Sequence, residues 1–154
     1  MTIDAGTHRK LAIEANNSTW DILGTAPDQI DDAAAEEMTR RAYAAAYHWS
    51  HAADASVVNE ARADWLLAKV WLARGEGLLA LRHGMRCLAA CERGSLVDFD
   101  LAYAHEVIAR AQACLGNHEA ALHHREFARS VPIAEDDDRQ QVVSDLDAEP
   151  WFGV

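Results

Sequence analysis

A segment of this chain recurs at a fixed distance of 41 residues. Ala68-Lys69-Val70-Trp71-Leu72-Ala73-Arg74-Gly75 aligns with Ala109-Arg110-Ala111-Gln112-Ala113-Cys114-Leu115-Gly116, which superimposes a small residue, a cation and a glycine. Continuing in register places Ala80 on Ala121 and Cys87 on Ala128. Small side chains at fixed offsets let two helices approach closely, and a glycine after an apolar periodic run ends the first of them. The register therefore predicts two copies of one helix–turn–helix unit.

The rest of the sequence is consistent with helices throughout. Apolar residues recur at helical spacing and no segment alternates as a strand would, so the class is all-α with about seven helices. The first is expected over 8–23, with Gly24 as its stop, and a second from a Thr25 cap to about 52. Ser56 can cap 57–74, and Gly94 ends 77–93. Asp98 can cap 99–115, and Asn117 can cap 118–130 ahead of Pro132. The run Glu135-Asp136-Asp137-Asp138 suits the positive end of a last helix over 135–147. The whole of 1–154 reads as one domain: a degenerate pair at 8–52, repeats at 57–93 and 98–131, a capping helix at 135–147 and a tail at 148–154.

Leu115-Gly116-Asn117-His118-Glu119-Ala120-Ala121-Leu122 resembles the turn between the two helices of a tetratricopeptide repeat, with Ala109, Ala121 and Ala128 where that family has small residues. The resemblance covers roughly 57–132. The 41-residue period exceeds the family's value of about 34, and the family's aromatic near the start of the first helix is replaced by Asp64 in one repeat and His105 in the other. It implies a right-handed stack of antiparallel helix hairpins, an α-α superhelix with a concave groove. Carrying the family's groove positions onto the aligned residues selects Arg62, Trp65 and Lys69 from one repeat and Tyr103, Glu106 and Arg110 from the next. Such a strip would suit a peptide bearing carboxylates.

Charge narrows the partners. The net charge is −11 from 14 basic and 25 acidic side chains, which disfavours nucleic acid and anionic membranes. Residues 1–40 carry 3 basic and 8 acidic groups and residues 131–154 carry 1 and 7, so the acidity sits at the two ends. No apolar run is long enough for a membrane span, and three cysteines read as reduced thiols, so a cytoplasmic protein is expected.

Motifs for chemistry are weak. His105-Glu106-Val107-Ile108-Ala109 opens like a zinc-protease helix but has Ala109 in place of the second histidine. Cys87 and Cys91 share a helix face without forming a Cys-x-x-Cys pair. No phosphate loop or serine-hydrolase elbow is present, so neither an enzymatic activity nor a cofactor is expected. The leading expectation is an interaction module for a protein or peptide partner, or for its own copy in a homodimer. The alternative is a metal- or small-ligand-binding protein using His105, His123 and His124. The acidic 135–149 segment and Trp151-Phe152 would either cover a groove or anchor the tail on the last hairpin.

Overall fold

The computed structural model describes residues 2–154, and every regular element in them is helical. Helix α1 spans Ala5–Leu23, α2 Asp32–Trp49, α3 Val57–Ala73, α4 Gly77–Gly94, α5 Asp98–Cys114, α6 His118–Ser130 and α7 Asp136–Asp147. Three hairpins form, α1 with α2, α3 with α4 and α5 with α6. They stack in chain order, α2 on α3 and α4 on α5, while α3 also meets α5, and α7 closes the end against α5 and α6.

The repeat is visible in the backbone itself. Gly75 adopts φ 73° and Gly116 φ 79°, the left-handed region where a side chain is costly. Around each, two paired hydrogen bonds close the helix: Glu76 N donates to Trp71 O and Gly75 N to Leu72 O, both at 2.9 Å. The same two bonds recur from Asn117 N to Gln112 O at 2.9 Å and from Gly116 N to Ala113 O at 3.0 Å. These satisfy carbonyls that the helix end would leave bare. Ala68, Ala109, Ala80 and Ala121 are all fully buried, so the aligned small residues do sit at the helix crossings.

Several expectations about helix ends need correction. The helix expected from Thr25 begins instead at Asp32, because Pro27 starts only a single 3₁₀ turn, Pro27–Gln29, and Ile30 is extended. Asp31 is the real cap, accepting from Ala34 N at 2.8 Å, whereas the Thr25 hydroxyl donates back to Ile22 O. Gly94 does not terminate α4; Ser95, at φ 50°, takes the left-handed position. Gly94 is needed for another reason, since a Cβ there would lie 2.4 Å from Val57 Cγ1. Asn117 makes no side-chain cap but donates to Gln112 Oε1.

Ser56 does cap α3, with Asn59 returning the bond to the Ser56 backbone. Asp98 does not cap α5 as expected, being its first residue after Val97; it accepts from Phe99 N and from Ala134 N at 3.0 Å, and so ties the α6–α7 connection to the start of α5. Alanines fill much of the core, joined by Met38, Leu66 and Val70 near the first two hairpins and by Leu146 and Trp151 under the last. Among the described residues, no helix is long and apolar enough to cross a membrane.

Candidate partner-binding groove

The first helices of the three hairpins each contribute one aromatic ring to a continuous row. Trp20 of α1 lies 5.5 Å from Trp65 of α3, and Trp65 lies 5.4 Å from Tyr103 of α5, centroid to centroid. Both spacings are those of favourable tilted aromatic pairs. On one side of the row is a cavity of about 290 Å³ that also meets Arg62 and Phe99. On the other is a larger one of about 740 Å³, walled by Leu23, Ile30, Leu72, Lys69 and Phe152. The Trp65 indole N–H is buried and has no acceptor.

Five of the six residues selected from sequence therefore border these cavities, and Glu106 does not. Arg62, Trp65, Lys69 and Tyr103 line one or both cavities, and Arg110, though nearly buried, reaches the wall of the larger one. Glu106 is 0% exposed and Arg110 5% exposed, because α5 is covered by α3, α4, α6 and α7. Their side chains form an ion pair inside the fold, while Lys69 Nζ stands 3.7 Å from the same Glu106 oxygen. The other Glu106 oxygen has no partner.

The cations are largely committed to internal acids. Arg62 makes a two-point contact with Asp100, at 2.9 and 3.1 Å, and that contact raises its pKa. Arg110 donates to Pro150 O at 2.8 Å and to Asp145 O at 2.6 Å, so it holds the chain as it leaves α7. Burial, and then the hydrogen bond to Asp145, push the Tyr103 phenol above its ordinary value. What the groove offers is thus an apolar, aromatic surface with Lys69 at its edge, in place of a strip of three free cations.

The tail is anchored. Trp151 is buried in the core cluster of the last hairpin, and its Nε1 donates to Leu146 O at 3.1 Å. The guanidinium of Arg110 lies 4.1 Å from its ring and that of Arg125 4.0 Å. Phe152, half exposed, forms the far wall of the larger cavity.

The histidines of the alternative reading lie close together. His105 Nδ1 is 2.9 Å from His124 Nδ1, and the His123 ring meets His124 edge-on at 5.5 Å. His105 also stacks on Phe127 at 4.0 Å, and burial, with His124 next, lowers its pKa to about 4. Among the described residues, no group of three His, Cys, Asp or Glu side chains is arranged to hold a metal ion. Cys87 and Cys91 are buried free thiols.

Two polar clusters had no signal of their own in the sequence. His8 Nδ1 is 2.8 Å from His48 Nδ1 across the first hairpin. In the second hairpin, His83 lies between Asp64, at 2.8 Å, and the Tyr43 hydroxyl, at 3.2 Å. The repeat offset could have found this one, since moving Asp64 and His83 by 41 residues lands on His105 and His124. The chain matches no family model, no curated protein and no solved structure.

Proposed function

We propose that this chain is a non-enzymatic interaction module, similar in plan to a tetratricopeptide repeat domain, whose concave face holds a peptide segment of a protein partner. The observation that carries the reading is the row Trp20–Trp65–Tyr103, one ring from each successive hairpin, with a cavity on either side. Large rigid rings supply contact area at little cost in side-chain entropy, and a row with one ring from each hairpin suits a ligand that runs along the stack. The internal pairing of Arg62 and Arg110 shifts the preferred ligand away from one bearing many carboxylates. Apolar or aromatic side chains would fill the cavities, with one carboxylate for Lys69 at the edge.

A random-peptide display library selected on the whole chain, then challenged with a Trp65→Ala variant, tests this. Selected peptides should carry two apolar or aromatic anchors and should lose the variant. Peptides retained equally by wild type and variant would refute the groove assignment. Sedimentation at rising concentration addresses the homodimer form of the reading, in which the groove takes a second copy.

A further inference from the structure

A separate cavity, of about 670 Å³, opens between α2, α3 and α4 and shares no lining residue with the two cavities of the aromatic groove. Its volume is that of a small-molecule site. Two of its polar wall residues are deeply buried, Asp64 at 5% and His83 at 8% exposed. The Asp64 carboxylate can only accept, so His83 Nδ1 donates to it across 2.8 Å. In the neutral ring Nε2 is then an acceptor, and the Tyr43 hydroxyl donates to it across 3.2 Å while accepting from Trp71 Nε1 at 3.2 Å. This chain of bonds fixes one wall.

The opposite charge balance is what singles the cavity out. Both of its acids are satisfied: Asp64 accepts from His83 and from Arg86 Nε at 3.1 Å, and Glu60 accepts from Arg93 at 2.7 Å. Its cations are not. Arg86 uses only Nε in that bond, leaving its two terminal NH₂ groups uncommitted, and Arg82 makes no ion pair or hydrogen bond with the described residues. The two arginines are four apart on α4 and so share a face. Asp64 holds the Arg86 guanidinium in place, and Trp49, Ala63 and Leu67 supply apolar wall.

We propose that this cavity binds a small organic anion, a carboxylate or phosphate carried on an apolar or aromatic body. The anionic group would be taken by Arg82 and Arg86, whose planar guanidinium groups match such oxygens in pairs, and the body would lie against Trp49 and Leu67. The site is independent of the peptide groove.

Calorimetric titration of the full chain with benzoate, phenyl phosphate and benzylammonium tests the assignment. One or both anions should bind saturably at one per chain, at least tenfold more weakly in an Arg82→Gln variant and unchanged in Trp65→Ala. The tighter of the two names the anionic group. Arg82 is exposed and unpaired, so its replacement should leave the thermal transition in place. No saturable binding of either anion, equal binding to Arg82→Gln, or equally tight binding of benzylammonium would overturn the proposal.

Discussion

His83 Nδ1 lies 2.8 Å from Asp64 Oδ1, and the same cross-hairpin position 41 residues later is held by His105 and His124, whose Nδ1 atoms are 2.9 Å apart. One position in the repeat thus joins first helix to second helix through a side-chain hydrogen bond, with an acid in one copy and an imidazole in the other. The chemical consequences differ. An Asp–His pair tolerates a proton on the histidine, whereas two facing Nδ1 atoms require one donor and one acceptor and admit no second proton.

That difference predicts an acid-sensitive third hairpin. Burial first, and then His124 and His123, hold His105 at about 4, below its ordinary 6.5; burial also lowers His124. Between those two values the unfolded chain binds more protons than the folded one, so the contribution is complete above about 6.5 and is lost as pH falls towards 4. Urea midpoints measured across that range should fall with acid. In a His105→Asp variant, which copies the pair of the preceding repeat, the fall should be smaller.

The two left-handed glycines should be energetically equivalent. Gly75→Ala and Gly116→Ala each place a Cβ at φ above 70° with nothing within 4 Å to clash, so the cost is conformational alone. Each should destabilise by about 1–2 kcal/mol, and the two should add, being well separated. Thermal unfolding of the single and double variants measures this.

Arg110 should be far more sensitive than an exposed arginine. Its removal leaves Glu106, fully buried and with one oxygen already unpartnered, facing only Lys69 at 3.7 Å. It also frees the carbonyls of Asp145, Ala148 and Pro150. Arg110→Met should cost about 3–5 kcal/mol, the usual penalty for an orphaned buried charge, and adding Glu106→Leu should restore a part of it. Chemical denaturation of the two single variants and the double gives the coupling directly.

How far the sequence reached depended on the range of the forces involved. Gly75, Gly116 and the buried alanines were legible because backbone chirality and close helix approach restrict residue type position by position. The false start at Thr25 shows a local signal losing to another local one: Asp31 offers the stronger cap once Pro27 has consumed its turn. Gly94 answers to a tertiary need, the close approach of Val57, which the local sequence does not show, while Ser95 takes the left-handed position. In the groove, Trp65 and Tyr103 could be selected by carrying a family's groove positions onto the aligned repeats. The inward turn of Glu106 and Arg110 could not be foreseen, because it depends on α7 and the tail arriving from some 40 residues further on. Trp20 likewise belongs to a hairpin in which no repeat was readable, so only the folded stack places it in the row.

The most direct test of the concave face is the affinity of one display-selected peptide for wild type, Trp65→Ala and Arg82→Gln, measured by titration calorimetry on the full chain. Trp65→Ala should lose at least tenfold and Arg82→Gln should keep wild-type affinity, because its cavity shares no lining residue with the groove. Equal affinity for wild type and a folded Trp65→Ala, or a loss confined to Arg82→Gln, would contradict the groove assignment.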